Sequence, residues 1–180
     1  MPNSLNHLKG IIIALVATIL SAAIFWGFNN QSDLSSLEVQ AKNSASLAVA
    51  LANQKPTLTE FYANWCSSCQ AMAKDLAAVK KEYADSVNFV MLNIDNDKWL
   101  PEVLRYRVDG IPHFVFFDKD GKTIGQTIGE QPLTILQSNL AALVANSPLP
   151  YVNISGQASP VKSDRIVKSS SSADPRSHGG

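Results

Sequence analysis

A long apolar run near the beginning of the chain is its most distinct pattern. Residues 10–28 contain no charged side chain, and isoleucine, leucine, valine and aromatic residues recur throughout. As an α-helix, this run would extend about 28 Å, close to the thickness of the hydrocarbon core of a bilayer. Trp26 would lie near the far end, where an indole favours the interface between lipid and water. The pattern therefore predicts one transmembrane helix at 10–28, in contact with membrane lipid.

A cleaved signal peptide is the alternative interpretation of this run. Small residues at 21–23 follow an apolar core of suitable length. The apolar pattern continues beyond them to Phe28, which favours an uncleaved anchor. Lys9 precedes the run and acidic residues follow it. This charge distribution favours a cytoplasmic stub at 1–9 and a main domain on the opposite side of the membrane.

The middle of the chain alternates between helix and strand patterns. A polar tether is predicted at 29–43, and apolar residues at helical spacing then predict a helix that ends at Asn53. Continuous apolar residues at 87–94 are typical of a parallel strand that is covered on both faces. The other predicted elements are a strand at 57–62, a helix with an apolar face of Met72, Leu76, Val79 and Tyr83, a short helix at 101–106, strands at 114–117 and 123–128, and a helix from Pro132 to Val144. Together they predict one compact domain at 44–146.

Composition and charge add two limits. Residues 147–180 are rich in serine and proline and end in Gly-Gly, so they cannot bury enough apolar surface to offset the entropy of ordering. A mostly disordered tail is predicted there. The whole chain has 15 lysines and arginines against 15 acidic residues. It lacks the basic excess that a nucleic-acid-binding protein needs, so no nucleic-acid partner is expected.

Chemistry is expected at the two cysteines, which are the only ones in the chain and form the pattern Cys66-Ser67-Ser68-Cys69. A disulfide scaffold needs several cysteines, and a closed structural zinc site usually needs four ligands. An isolated Cys-x-x-Cys between a strand and a helix instead suits reversible dithiol exchange. We therefore expect a redox centre without a metal or a bound cofactor.

The position of Cys66 at the start of the predicted helix favours it as the nucleophile. Unpaired backbone N–H groups and the positive end of the helix dipole stabilise a thiolate there, so the pKa of Cys66 should be lowered toward neutrality. Cys66 would attack a substrate disulfide and form a mixed disulfide. Cys69, one helical turn further along, would then attack Cys66 and release the substrate.

Three other residues are candidates for supporting roles. Glu60 lies on the predicted strand before the cysteines; if buried, its pKa should be raised and it would accept the Cys69 proton, whereas the alternative is an edge-strand glutamate facing water. A cis peptide before Pro112 would expose the preceding carbonyl and N–H to an extended substrate backbone. His113 is interpreted as a partly buried strand histidine in preference to a metal ligand.

The stretch Glu60-Phe61-Tyr62-Ala63-Asn64-Trp65-Cys66-Ser67-Ser68-Cys69 resembles the active-site strand and turn of the thioredoxin family. Further motifs of that family follow in order, namely Leu92-Asn93-Ile94-Asp95, Tyr106, Gly110-Ile111-Pro112 and Gly129. The resemblance covers approximately residues 44–146. It implies the thioredoxin fold, an α/β fold in which helices flank a central mixed β-sheet.

The resemblance also implies roles for individual residues. Cys66 and Cys69 would form the redox-active disulfide, and Pro112 would be the cis proline. The substrate groove would be lined by Trp65, Ile111, Pro112 and Gly129. Disulfide-containing proteins would be the substrates.

A narrower resemblance comes from the stretch 88–96, from Lys98-Trp99 and from 110–114, behind an apolar anchor. These features are similar to the thioredoxin-like proteins of cyanobacterial and chloroplast thylakoid membranes. The resemblance implies a catalytic domain that faces the thylakoid lumen or periplasm and reduces target disulfides. It also implies a link to cytochrome assembly and electrons received from a thiol-transporting membrane protein.

Three departures from the thioredoxin pattern affect the expected chemistry. Ser67-Ser68 replaces the usual Gly-Pro between the cysteines and alters the thiolate environment. Glu60 replaces the usual buried aspartate with a longer side chain. Met91 stands where many thioredoxins carry a lysine, which removes a cation that would tune the pKa of the buried acid.

Alternative functions remain open at this point. A disulfide oxidase or isomerase would use the same dithiol, and its reduction potential would distinguish it from a reductase. A non-catalytic scaffold would use the groove to bind extended peptide and would not need Cys66 or Cys69. A metal-binding module is less favoured because only two sulfur ligands are present.

Overall fold

A computed structural model describes the backbone of residues 3–29 and 35–161, and the side chains of 9–23 and 35–161. The chain divides into two compact units, with the division between residues 34 and 35. The end of the predicted tail, 162–180, lies outside the described residues, as does part of the predicted tether, 30–34.

The first unit contains one helix, α1, at Asn3–Asn29. Every side chain described in it, from 9 to 23, is exposed. In the described residues, no helix reaches the combination of length and hydropathy that a membrane crossing requires. The side chains at 24–28 of the predicted span are not among those described.

The second unit has a mixed sheet with helices on both faces. Its elements are α2 (Leu37–Lys42), α3 (Leu47–Ala52), β1 (Thr57–Tyr62), α4 (Ser67–Glu82), β2 (Asn88–Asn93), α5 (Leu100–Arg105), β3 (Gly110–Ile111), β4 (His113–Phe117), β5 (Thr123–Ile128), α6 (Leu133–Val144) and β6 (Ser159–Pro160). The main sheet has the order β2-β1-β4-β5, and β3 and β6 form a separate two-stranded sheet. Strand β1 runs parallel to β2 and antiparallel to β4, so the main sheet is mixed as expected.

Two apolar clusters cover the two faces of the main sheet. On one face, Leu58, Phe114 and Phe116 pack with apolar residues of α4 and α6, including Leu76 and Leu140. The other cluster includes residues of α3 and α5 as well as both cysteines. Full burial of each large apolar side chain contributes about 1.5–3 kcal/mol. These clusters bury both sides of β1 inside the sheet, and β1 leads directly into the cysteine turn.

The domain begins earlier than the predicted residue 44. Helix α2 lies inside the predicted tether, where Leu37 and Gln40 are buried. The predicted single helix ending at Asn53 is in fact two helices, because the Ser36 and Ser46 side chains each accept a backbone N–H and start a new helix. Helical spacing continues across this break, so the apolar pattern did not reveal it.

The domain also ends later than the predicted residue 146. Residues 147–161 lie against it, although the sequence predicted disorder there. Leu149 packs on the apolar cluster beside α6. The buried Asn139 side chain donates to the Tyr151 carbonyl at 2.6 Å and accepts from the Tyr151 N–H at 3.0 Å. Composition misled here because backbone hydrogen bonds, and not a long apolar run, order this segment.

Candidate active site

Cys66 and Cys69 form a disulfide at the start of α4. Cys66 is the N-cap residue of this helix, and its sulfur accepts the Cys69 backbone N–H at 3.0 Å. Both residues are 0% exposed. The predicted placement of Cys66 at the mouth of a helix is therefore what the structure shows, and the sulfur already takes one of the helix's unpaired N–H groups.

The peptide bond between Ile111 and Pro112 is cis, and it lies beside the cysteines. The Ile111 carbonyl oxygen is 3.6 Å from Cys66 Sγ. Gly129, which has a positive φ of 80°, donates its N–H to the Pro112 carbonyl at 2.7 Å. Three residues that were predicted to line a groove are thus brought to the side of the disulfide where Cys66 lies.

Trp65 presents the exposed surface next to the buried disulfide. The residue is 51% exposed, and its indole N–H donates to a carboxylate oxygen of Asp95 at 2.9 Å. This hydrogen bond joins the cysteine turn to the loop after β2. It limits the orientations of the ring, which leaves a flat apolar surface exposed beside Cys66.

Glu60 is buried in the centre of the main sheet, paired with Met91 on one side and Phe114 on the other. It is 2% exposed, and neither carboxylate oxygen has a hydrogen-bond partner in the described part of the chain. Burial raises the pKa of Glu60, and the nearby positive charge of Lys80 opposes this increase. The solvent-facing alternative for Glu60 is wrong. A buried carboxyl without hydrogen bonds is costly for the fold.

Lys80 places a positive charge beside Glu60, which the uncharged Met91 on the neighbouring strand does not supply. Its ammonium nitrogen is 3.7 Å from Glu60 Oε2, which makes an ion pair and not a hydrogen bond. The same nitrogen donates to Gln40 Oε1 at 2.9 Å and lies 3.1 Å from Met91 Sδ. Burial lowers the pKa of Lys80, and the charge of Glu60 opposes this decrease.

Gln40 holds Lys80 in place from helix α2. Its side-chain NH₂ group donates to the carbonyl of Ala73 at 2.8 Å and to that of Ser35 at 2.6 Å, while its oxygen accepts from Lys80. Sequence reasoning missed both Lys80 and Gln40. Lys80 had a detectable signal, because it follows Cys69 by three helical turns and so lies on the same face of α4.

His113 is completely buried. Among the described residues, its ring nitrogen contacts Gln126 and neither cysteine. Its Nε2 lies 3.2 Å from Gln126 Oε1, and its ring packs edge-on against Phe61. Burial lowers the pKa of His113, and the hydrogen bond to Gln126 opposes this decrease. Within residues 9–23 and 35–161, no group of three or more histidine, cysteine or acidic side chains could hold a metal ion.

Comparisons with known proteins agree with this geometry. The thioredoxin family model matches residues 38–142. The chain is 57% identical over 172 residues to the thiol:disulfide interchange protein TxlA homolog of Synechocystis sp., covering 96% of this chain and 94% of that protein. It is 48% identical over 175 residues to TxlA of Synechococcus elongatus, covering 97% and 92%. It is 41% identical to the chloroplastic thioredoxin-like protein HCF164 of Oryza sativa, covering 93% of this chain and 63% of the rice protein.

Proposed function

Because the chain belongs to the thioredoxin family and is a thiol-disulfide oxidoreductase, we propose that it reduces disulfides in exported or thylakoid-lumen proteins. Cytochrome assembly is the process in which we place it. The two TxlA relatives carry the name thiol:disulfide interchange protein, and the rice relative is chloroplastic. The observation that carries the proposal is the Cys66–Cys69 pair at the start of α4, beside the cis peptide bond.

The reaction begins with both cysteines reduced. The Cys66 thiolate attacks one sulfur of the substrate disulfide, that disulfide breaks, and the departing substrate thiolate takes a proton from water. Cys69 then attacks Cys66 in the mixed disulfide and releases the second substrate thiolate. The substrate gains two electrons, and the enzyme ends with the Cys66–Cys69 disulfide seen in the structure. A dithiol donor, which we propose is a transmembrane thiol protein, returns two electrons.

Glu60 is proposed to accept the proton that Cys69 loses in the second step. Its carboxylate oxygens have no hydrogen-bond partner among the described residues, so they are available to take a proton. Burial raises the pKa of Glu60, and the positive charge of Lys80 opposes this increase and so favours the ionised carboxylate. Lys80 is therefore a positioning and tuning residue, and it does not itself touch the substrate.

Trp65, Ile111, Pro112 and Gly129 are proposed to bind the substrate. The backbone of Ile111 would pair with an extended substrate chain, since its carbonyl lies next to Cys66. The exposed ring of Trp65 would pack against that chain. No step requires a metal or a cofactor.

Helix α1 is proposed to anchor the protein in a membrane through residues 10–28, with the catalytic domain on the lumenal or periplasmic side. Its described apolar side chains are exposed, among them Ile11, Ile13, Val16 and Ile19. A continuous apolar surface of this kind needs an apolar environment. An anchor would raise the effective concentration of the domain near membrane partners. Extraction of membranes with alkaline carbonate tests the anchor, since an anchored protein stays in the pellet.

A trapping experiment tests the function. In a Cys69→Ser variant, the mixed disulfide at Cys66 cannot be resolved, so substrates should remain attached and be identified by mass spectrometry. The matched control is the double variant Cys66→Ser, Cys69→Ser, which should capture none. A captured set without exported or membrane proteins would contradict the location. Full activity of the double variant in cells would show that the protein acts as a scaffold.

A further inference from the structure

Residues 153–161, which we call the strap, run along the edge of the domain that carries the proposed substrate groove. The strap first follows β5 and the residues after it through backbone hydrogen bonds. These bonds are Asn153 N–H to Gln126 O at 2.7 Å, Ile128 N–H to Ile154 O at 3.0 Å, Gly156 N–H to Ile128 O at 2.6 Å, and Glu130 N–H to Gln157 O at 2.7 Å. A segment without a long apolar run is thus held by four main-chain contacts.

The strap then continues onto β3, the short strand that ends at the cis peptide bond. Strand β6 of the strap runs antiparallel to β3, with Ile111 opposite Ser159 and Gly110 opposite Pro160. The Val161 N–H donates to the Asp109 carbonyl at 3.0 Å. The strap therefore pairs with the same backbone edge that an extended substrate would use.

Two of the four proposed substrate-binding residues are in contact with the strap. Ile111 pairs with it, and Gly129 approaches it so closely that a side chain at 129 would overlap the Gly156 carbonyl group. Val161 packs on the apolar cluster that contains Cys66 and Ile111. Cys66 itself is 0% exposed. The strap therefore lies against two of the residues that are proposed to bind substrate.

We propose that the strap is an intramolecular occupant of the substrate groove, and that an extended polypeptide must displace it to reach Cys66. This inference rests on the proposed function, because it assumes that Ile111 pairs with substrate. The geometry also defines the substrate class: an unfolded or flexible segment around a disulfide that runs antiparallel to Gly110–Ile111. A rigid folded surface cannot pair with the edge of β3 in place of a single strand.

Displacement has a quantitative consequence for substrate affinity. When only a fraction of the molecules has an open groove, the apparent dissociation constant rises in inverse proportion to that fraction. Loosening the strap should therefore lower the KM for an extended peptide, while kcat stays the same because the reacting sulfurs are unchanged. A structural role alone would not produce this separation of KM from kcat.

The test uses the variant Gly156→Val in the full chain. A side chain at 156 would overlap the backbone of Glu130, so the strap must lift from β5. The matched control is Gln157→Ala, since the Gln157 side chain is exposed and only its backbone carbonyl holds the strap. The substrate is a synthetic flexible peptide with one internal disulfide. We expect Gly156→Val to lower its KM about tenfold with kcat unchanged, and Gln157→Ala to match the parent.

Hydrogen exchange of residues 153–161 reports directly on the strap. Exchange there should be slow in the parent, faster in Gly156→Val, and faster in the parent when the peptide is added. The last measurement needs no variant, so it decides the matter even if Gly156→Val does not fold. Fast exchange in the free parent, exchange unaffected by saturating peptide, or a released strap with unchanged KM would each overturn the proposal.

Failure of the proposed function gives a different result. In that case neither parent nor variant would reduce the peptide. Occupancy of the groove is then measured by peptide binding to the double variant Cys66→Ser, Cys69→Ser, with and without Gly156→Val. Tighter binding with Gly156→Val supports the strap without any redox chemistry, and equal binding contradicts it.

Discussion

Replacing Lys80 with methionine should impair the second half of the reaction and shift its pH dependence. The Lys80 ammonium is 3.7 Å from the Glu60 carboxylate, and the side chains are 16% and 3% exposed. At an effective dielectric constant of 20, opposite charges at this distance attract by about 4 kcal/mol. Burial opposes the charged form of Lys80 and lowers its pKa, so the net stabilisation is smaller than this attraction.

Even a third of that attraction is enough for a measurable change. About 1.4 kcal/mol changes the ratio of ionised to protonated Glu60 tenfold. Without Lys80, nothing opposes the effect of burial that raises the pKa of Glu60. A general base must be deprotonated to act, so the rising limb of the rate profile should move to higher pH. At pH 7 we expect resolution of the mixed disulfide to slow by about tenfold.

The assay isolates resolution from attack. A peptide is attached to Cys66 as a mixed disulfide in the Cys69→Ser background to characterise the adduct. With Cys69 present, stopped-flow mixing then follows release of the peptide between pH 5 and pH 9. Lys81→Met is the matched control, because Lys81 is the next residue on α4 and is exposed. Lys80→Arg should retain most of the rate, since it keeps the positive charge.

Three outcomes would refute this reasoning. The first is that the pH–rate profiles of Lys80→Met and Lys81→Met coincide. The second is that the profile of Lys80→Met moves to lower pH. The third is that Lys80→Arg is as slow as Lys80→Met. Gln40 loses a hydrogen-bond donor in Lys80→Met, so the melting temperature is measured in parallel. A change in stability alone would not move the pH of half-maximal rate.

Two further predictions concern acidity. Folding favours protonated Glu60, because burial raises its pKa. The stability that Glu60 contributes relative to its ionised form is fully present below the pKa that Glu60 has in the unfolded chain. It is lost as pH rises through the pKa that Glu60 has in the folded protein. The free energy of unfolding of Glu60→Gln relative to the parent should therefore increase between pH 4 and pH 8, as measured by urea denaturation, and a constant difference would contradict the burial argument. In the disulfide form the Cys66 sulfur accepts an N–H from the helix start; the same position should stabilise the thiolate after reduction, so alkylation of Cys66 should show a midpoint below about 8.5, the value of free cysteine. The Cys66→Ser variant identifies any contribution from Cys69, and a midpoint at or above the free value would exclude Cys66 as an activated nucleophile.

The parts of the site that follow one another along the chain could be predicted from the sequence. Glu60 and the two cysteines lie on a strand, a turn and a helix that are consecutive, so local patterns placed them correctly. Lys80 shares a face of α4 with Cys69, but its pairing with Glu60 could not be predicted in this way, because Glu60 lies on another element and only packing of α4 on β1 brings them together. The sequence also could not decide whether Glu60 is buried or exposed, because its burial depends on the neighbouring strands β2 and β4, which lie on either side of it.

The boundaries of the domain were harder to predict than its centre. Leu37 and Gln40 lie in a polar context, yet their burial adds α2 to the domain. The strap has the composition of a disordered tail, but it pairs through its backbone, and backbone pairing depends on which strand edges are free. Composition carries no information about those edges.

Lys80 lies on helix α4 and not on the strand beside Glu60, and this has a consequence for protein engineering. Transplanting the loop from Trp65 to Cys69 into a thioredoxin that has Met at the position of Met91 would bring the sulfurs without their electrostatic support. A successful graft must transfer the last turn of α4, which carries Lys80, together with Gln40 from α2. A comparison of single aligned positions would note only the absence of a lysine at Met91, although Lys80 on α4 places its ammonium 3.7 Å from the Glu60 carboxylate.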